Sequence, residues 1–368
     1  MAEKREKRSG WRIFWCVVRR FFLLVFTLTI IAAVGLYMVC DLVFNGPSPN
    51  ARDRLTMSMR ESSAMKWFPA VFLGDEKVAE IEKSVDATLP AEVSDGSLVK
   101  IDLVSSAVDG EVDEWEGHPD GIRIENIKGD TYNAYIMIIR DPSRVYQATS
   151  HLPFSYDVPG ERINVKIEQE GAVAAINAGA FLDMSGTSQS HLTGRVPAGL
   201  VIAGGEVVFN DHRSEVPEAG FVGFNNDDVL VVAQSMTPAK AMDLGIRDGC
   251  EFGPVLIMNG QINEEAYNGE SGLNPRTCIG QRADGAVIFL CVEGRAASSL
   301  GATYADLIDI MVEYGAVNAC NLDGGSSTVM MYRDPETGEV SMVNNYSLLQ
   351  EEPRRMPTFF MVKPHSGD

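Results

Sequence analysis

Twenty consecutive residues without a charge, Phe21 to Cys40 (FFLLVFTLTIIAAVGLYMVC), restrict this chain more than any other feature. As a helix they reach about 30 Å, the thickness of a bilayer's hydrocarbon core. Lys4, Arg5, Lys7, Arg8, Arg12, Arg19 and Arg20 precede or flank the run, opposed only by Glu3 and Glu6. Such a basic flank keeps its end cytoplasmic and puts the bulk of the chain outside. A cleaved signal peptide would carry an apolar stretch of about 7–15 residues and a small-x-small cleavage site. This run is longer, and YMVCDLVF offers no such site. A buried core helix fits the flanking charges poorly. The expected order is a cytoplasmic basic tail (1–20), one transmembrane helix (21–40), a linker with a helical and acidic stalk (41–120), and a domain over 121–363.

Net charge is −20 over 368 residues, so a nucleic-acid partner is not expected, since binding one relies on clustered Lys and Arg. The apolar fraction of 45% suits a sizeable core. Asn45 to Leu55 (NGPSPNARDRL) reads as a linker because prolines discourage helix. DEKVAEIEKSV carries Val78, Ile81 and Val85 at helical spacing. Ala91 to Asp120 reads as a solvated acidic connection. Its carboxylates could take a structural calcium ion, but they lack the ordered spacing of a calcium loop, so calcium is not indicated. Cys16 and Cys40 flank or end the apolar run, while Cys250, Cys278, Cys291 and Cys320 lie beyond it. An even number there permits disulfides. Three of them sit in strand-like apolar runs, where a free thiol behaves as a small hydrophobe, and that reading is preferred. No Cys/His spacing points to a metal.

Beyond residue 121 the pattern turns to β. TYNAYIMIIRD, AVAAIN, AGLVIAGGEVVF, VLVVAQ, PVLIMNGQI, AVIFLCV and VNACNL read as strands, two of them hairpins about Gly-containing turns. One helix is clear: Thr303 as N-cap, Asp306 in the first turn, a stripe of Leu307, Ile308, Met311 and Val312, and Gly315 to end it. The expected class is α+β, a mixed β-sheet core with a few packed helices, preceded by one N-terminal transmembrane helix.

Three segments pass from an apolar strand to a polar residue and then glycine: AVAAINAGAF, AVIFLCVEGR and VNACNLDGGSST. A common cleft would gather Asn177, Glu293, Arg295 and Asp323, and NPRTCIGQ would add Arg276 and Thr277. Where strands run parallel, ligands collect at their carboxyl ends. Arg276 and Arg295 offer planar forks for phosphate. Gly324, Gly325, Ser326 and Ser327 could present consecutive N–H groups to an anion. Asp323 and Glu293 supply carboxylates. Each residue has a plainer reading: a turn, a surface arginine, a strand-end amide, a cap. His118, His151, His191 and His212 read as surface histidines. G-x-S-x-G is absent, and no Lys follows DGGSST as a phosphate-binding loop would need.

AAINAGAF, NPRTCIGQ, VEGR and GATYADLIDIMVEYGAVNACNLDGGSST together resemble the phosphodiester glycosidase family, over about residues 121–363. The anchor and the segment after it are similar to bacterial membrane-anchored members described as exopolysaccharide-related. The resemblance implies hydrolysis of a sugar-1-phosphodiester in a phosphorylated carbohydrate, with no cofactor required and no metal site. It places the site on Asn177, Ala178, Gly179 and Phe181, on Asn274, Pro275, Arg276 and Thr277, on Glu293, Gly294 and Arg295, and on Leu322, Asp323, Gly324 and Gly325. Asp323 is the preferred catalytic carboxylate, either activating water or attacking the anomeric carbon, and Glu293 is either its partner or the residue that orients an arginine. The family's aspartate is Glu293 here, and its third glycine is Ser326. Two rival readings stay open: a non-catalytic module that grips a phosphorylated polysaccharide, and a metal-dependent phosphodiesterase.

Overall fold

The computed structural model describes residues 2–60, 65–83, 92–101, 103, 114–182, 193–211, 220–269, 271–296, 298–346 and 352–365. The chain divides into two compact units, Met1–Glu80 and Ile81–Asp368. Val85, His191 and His212 lie outside the described residues, as do residues 91, 102 and 104–113 of the acidic stretch before Asp120.

In the first unit, α1 (Ala2–Asn45) is one continuous helix. Its stretch Phe14–Asn45 is 32 residues long and contains an 18-residue window of mean hydropathy 2.5 with no buried residue, so by length and composition it can cross a membrane. The proline-rich linker is corrected: Pro49–Arg60 is helix α2. Pro49 stands at its first position, where the missing N–H costs nothing and the fixed φ favours the turn. Two short helices follow, α3 (Phe68–Leu73) and α4 (Asp75–Lys83), and Val78 and Ile81 are buried as their spacing predicts.

The second unit is built from strands. In chain order they are β1 (Ile122–Lys128), β2 (Asn133–Ile139), β3 (Val145–Thr149), β4 (Ala174–Asn177), β5 (Phe181–Leu182) and β6 (Val196–Pro197). Then come β7 (Leu200–Ala203), β8 (Glu206–Asn210), β9 (Phe221–Asn225), β10 (Leu230–Ala233), β11 (Ile246–Glu251) and β12 (Val255–Met258). The last are β13 (Gln261–Ile262), β14 (Arg276–Arg282), β15 (Val287–Val292), β16 (Ala316–Leu322), β17 (Met330–Arg333), β18 (Val340–Met342) and β19 (Thr358–Val362). Helices α5 (Ile163–Glu170), α6 (Pro238–Asp243), α7 (Glu264–Asn268) and α8 (Tyr304–Glu313) are interspersed.

A seven-stranded sheet runs β1-β2-β15-β14-β16-β12-β13. Two five-stranded sheets run β10-β9-β11-β7-β8 and β18-β17-β4-β19-β3. The architecture is α+β, as expected. Among the described residues each strand pairing is antiparallel. The rule for parallel strands therefore gives no reason for a ligand site here.

Side-chain alternation makes the core. Met137 and Phe289 point to one face of the large sheet and meet Ile176, Phe224 and Phe360 of the other two sheets. Their neighbours Ile136 and Leu290 point to the opposite face and meet Leu307, Ile308 and Met311 of α8. On the far side, Ile163 and Ile167 of α5 cover Ala175 and Phe359. Helix α8 starts with the expected cap: Thr303 and Asp306 form a reciprocal capping box. Val312 departs from the expected stripe and is exposed, because it lies at the edge of the buried face. Cys250, Cys278, Cys291 and Cys320 are buried free thiols. The acidic stretch is not wholly a solvated connection. Val93 bridges to Ala233 at the edge of β10, the Ser94 N–H bonds Val232 at 2.9 Å, and Glu114 pairs with Arg282 at 2.6 Å.

Candidate active site

The large sheet assembles the site by register. β14 lies between β15 and β16 and runs against both, so Thr277 stands opposite Cys291 on one side and Leu322 on the other. The start of β14 therefore meets the ends of β15 and β16. NPRT, VEGR and LDGG arrive at one edge for that reason. Pro275 is the packing centre. The Gly325 N–H donates to its carbonyl at 2.8 Å, and a Cβ on Gly324 would lie 2.7 Å from the same oxygen. A side chain at 324 would push these two strand ends apart.

Pro275, Glu293, Gly294, Arg295, Gly325, Ser326, Thr328, Asn344, Asn345 and Tyr346 line a cleft of about 370 Å³, counted out to its open mouth. Arg295 is exposed, and its guanidinium lies over Gly325, 3.1 Å from where a Cβ would sit. Its backbone is left-handed, with φ +59°. That conformation costs a non-glycine residue about 1–3 kcal/mol and persists only where its surroundings impose it. Here the N–H of Ala296 and the carbonyl of Ser299 close the loop at 2.9 Å.

Glu293 is 7% exposed and its carboxylate is fully oriented. Oε2 accepts from Asn133 Nδ2 at 3.0 Å, and Oε1 accepts from the Asn345 N–H at 2.6 Å and Asn345 Nδ2 at 2.9 Å. The extra methylene relative to aspartate thus reaches the opposite wall. Asp323 is half-buried at the end of β16, and its Oδ1 accepts from the Gly324 N–H at 2.9 Å. The N–H groups of Gly324 and Gly325 are both engaged within the protein, which corrects the expectation of a run of free N–H groups there for an anion.

Several expected residues, Asp323 and Gly324 among them, are not part of the cleft lining. Asn177 is fully buried: Oδ1 accepts from Thr277 Oγ1 at 2.8 Å and from the Val329 N–H at 3.2 Å, and Nδ2 donates to the Asp323 carbonyl at 2.6 Å. Asn177 and Thr277 therefore tie the second sheet to the strand ends that carry the site. Arg276, adjacent to Thr277 on β14, points to the opposite face. Its guanidinium stacks on Tyr304 at 4.2 Å and donates to the carbonyls of Gly272 at 2.9 Å and Ala302 at 3.3 Å. It holds the loops beneath the cleft and does not line it. Ser327 is buried behind Ser326.

The wall that sequence reading misses is Thr328 with residues 344–346, and Arg354 bonds two of the lining residues, Ser326 and Tyr346. Tyr346 donates its hydroxyl to the Ser326 carbonyl and accepts from the Arg354 N–H at 3.1 Å. Arg354 Nη1 donates to Ser326 Oγ at 3.2 Å, and its guanidinium lies over Phe181 at 4.6 Å. Burial raises the Tyr346 pKa, the Arg354 N–H and charge act against that, and the Asp323 charge adds to it. The phenol thus stays protonated as a tether. Thr328 borders the cleft but is 3% exposed, and its hydroxyl is buried with no partner among the described residues. The available signal is Arg354-Arg355 just before the apolar strand TFFMV, a switch between polar and apolar like those of the motif segments. Among the described residues, no group of three His, Cys, Asp or Glu could hold a metal ion.

Residues 170–363 match the model of the phosphodiester glycosidase family. The chain belongs to that family. A phosphodiester glycosidase domain accounts for the whole cleft, since every lining residue falls within 170–363. The chain is 27% identical over 198 residues to an uncharacterised prophage-derived protein, YomE, of Bacillus subtilis strain 168. That match covers 51% of this chain and 27% of the relative's length. The fold of the phosphodiester glycosidase domain is similar to that of the catalytic domain of zebrafish N-acetylglucosamine-1-phosphodiester alpha-N-acetylglucosaminidase, solved in a form auto-inhibited by its pro-peptide. The TM-score is 0.51 at 18% identity, over 66% of this chain and 82% of that one. A hypothetical protein from Synechocystis gives a TM-score of 0.43 at 17% identity, over 66% of this chain and 62% of that one.

Proposed function

We propose that this phosphodiester glycosidase is a membrane-anchored hydrolase that cleaves a sugar-1-phosphodiester between the anomeric carbon and the phosphate oxygen. Its substrate is a cell-surface glycan or glycolipid of a bacterial envelope, such as a phosphorylated exopolysaccharide. α1 anchors it with the N-terminus cytoplasmic and the catalytic unit extracytoplasmic. The observation that carries the reading is the composition of one cleft. It holds an oriented carboxylate on Glu293, an exposed guanidinium on Arg295 and Thr328, whose buried hydroxyl has no partner among the described residues, with Arg354 bonded to the lining residue Ser326.

Arg295, Arg354 and the hydroxyls of Ser326 and Thr328 meet the phosphate, where negative charge grows as the C–O bond breaks. The phosphate oxygen keeps the bonding electron pair, and a leaving group of that kind needs little protonation, unlike an ordinary glycosidic alcohol. Water adds to the anomeric carbon and gives its proton to Asp323. Glu293 fixes the Asn345 wall and so positions the sugar. Asn177 and Thr277 hold the Asp323 backbone, and Arg276 holds the loop that carries Pro275. The reaction as written needs no cofactor.

A panel of sugar-1-phosphodiesters incubated with the full-length protein in ¹⁸O-water tests this. Label in the released sugar is expected. Label in the phosphate would assign P–O cleavage and overturn the reading, and binding without turnover would make the protein a surface-binding module. Asp323→Asn is expected to lower turnover by about 10²–10⁴ with unfolding unchanged, the range for a lost general base. Wild-type turnover in that variant would remove Asp323 from the chemistry.

A further inference from the structure

The first unit holds an aromatic cluster that the proposed reaction does not use. Phe72 of α3 stacks on Phe44 of α1 with centroids 5.0 Å apart and planes 14° apart, and meets Tyr37 of α1 at 5.7 Å. Phe68 adds contacts to Phe44 at 6.2 Å and to Phe72 at 5.4 Å. Tyr37 and Phe44 are two turns apart on one face of α1, about 10 Å along its axis. α3 therefore lies alongside the last two turns of the stretch Phe14–Asn45, not beyond its end. Whatever surrounds Tyr37 to Phe44 also surrounds α3.

A second face of α3 is largely exposed, its Trp67 ring meeting only Phe68 edge-on at 5.6 Å among the aromatic contacts of the described residues. Trp67 is 62% exposed and Val71 is 64% exposed, and residues four apart share a helix face. Phe68 and Phe72, also four apart, form the face turned to α1. A short helix that is apolar on both faces suits an apolar surrounding better than water. Exposed Lys66 stands beside Trp67, an amphipathic pair suited to the level of lipid headgroups.

We propose that Trp67–Leu73 is an interfacial collar: it lies in the membrane interface at the C-terminal end of α1, with Trp67 and Val71 seated in phospholipid. The proposal rests on reading α1 as membrane-spanning. It extends that reading from a lone spanning helix to a helix with a collar, in which α3 fixes the depth and rotation of the anchor's last turns.

The test uses the full-length chain reconstituted in phosphatidylcholine–phosphatidylglycerol vesicles, with Trp11, Trp15 and Trp115 replaced by Phe so that Trp67 is the only tryptophan. Lipids brominated near the headgroup end of the acyl chain should quench Trp67 severalfold more than lipids brominated near the chain terminus. Aqueous iodide should quench it severalfold less than in the urea-unfolded chain. A companion variant with Trp67→Phe and Leu28→Trp reports on α1 itself and should respond to the deep bromines. If that companion is quenched while Trp67 stays open to iodide and insensitive to brominated lipid, the collar is refuted and the anchor stands. If neither tryptophan senses lipid, both readings fail. If Trp67 is shielded from iodide but insensitive to bromine, a protein surface covers it, and the collar is again refuted.

Discussion

Asn177 offers the sharpest division between holding the site and touching the substrate. Its side chain makes three hydrogen bonds in a fully buried position, to Thr277 Oγ1, the Val329 N–H and the Asp323 carbonyl, at 2.8, 3.2 and 2.6 Å. Asn177→Ala removes all three; the bonds to Thr277 and Asp323 account for about 2 kcal/mol at about 1 kcal/mol each. It also leaves the buried Val329 N–H without its acceptor, which costs about 1–3 kcal/mol. A loss of about 3–5 kcal/mol is a large share of the about 5–15 kcal/mol that holds a domain folded.

The measurement is urea unfolding followed by far-ultraviolet circular dichroism, with turnover read on the same preparations. The midpoint should fall steeply while the slope with denaturant stays unchanged. Thr277→Val should cost about 1 kcal/mol, and the double variant should lose less than the sum, since the two residues share a bond. If Asn177→Ala moved stability by under about 1 kcal/mol yet abolished turnover, Asn177 would belong to the substrate. The clamp described above would then be refuted.

Arg354→Gln keeps length but removes charge at the cleft wall. It is expected to raise KM for a phosphate-bearing substrate by about 10- to 100-fold, the equivalent of about 1.5–3 kcal/mol for a charged hydrogen bond, with a smaller change in kcat. An unchanged KM would remove Arg354 from phosphate binding. Burial pushes the Cys291 thiol up to about 12 and raises Cys250, Cys278 and Cys320 as well. A thiol reagent should therefore label these four only once the protein is unfolded, and labelling in the native state would contradict the core packing. Burial lowers the pKa of His151, whose Nδ1 lies 3.0 Å from Ser150 Oγ. Its contribution to stability should be complete above about pH 6.5 and be lost as pH falls below that value, because the unfolded chain takes up the proton first. The wild-type minus His151→Gln difference in unfolding midpoint isolates it, and a flat difference across that window would refute the assignment.

Sequence patterns reveal strands and caps well where local forces decide them. Thr303 and Asp306 announce α8 because both halves of a capping box lie within one turn. Asn259-Gly260 announces the β12–β13 hairpin, and both residues take positive φ there, 57° and 73°. Orientation is harder to read. Arg276 and Thr277 are neighbours in one recognisable segment, yet a strand sends them to opposite faces, and only the sheet's position says which face borders the cleft. Pro49 reads as a helix breaker in sequence because its rule depends on whether it begins a helix or interrupts one. Arg354 escapes a sequence reading because it reaches the cleft from 28 residues beyond Ser326, held by tertiary contacts with Ser326, Tyr346 and Phe181.

Glu293 and Ser326 both hold side chains between 344 and 354. Glu293 uses its longer side chain to hold the backbone and side chain of Asn345. Ser326 supplies a hydroxyl that accepts from Arg354, and its carbonyl accepts from Tyr346. An aspartate at 293 would fall about one methylene short of Asn345, and a glycine at 326 would leave Arg354 without its hydroxyl acceptor. The strand ends that carry Pro275, Gly324 and Asn177 make no use of either difference. The site thus divides into a strand-end base fixed by close backbone packing and side chains between 344 and 354 tethered by Glu293 and Ser326. On the proposed reaction, Asn345→Ala is expected to change the relative KM values across the sugar-1-phosphodiester panel, whereas Asp323→Asn is expected to lower turnover on every member alike; an unchanged ranking with Asn345→Ala would remove the wall from substrate selection.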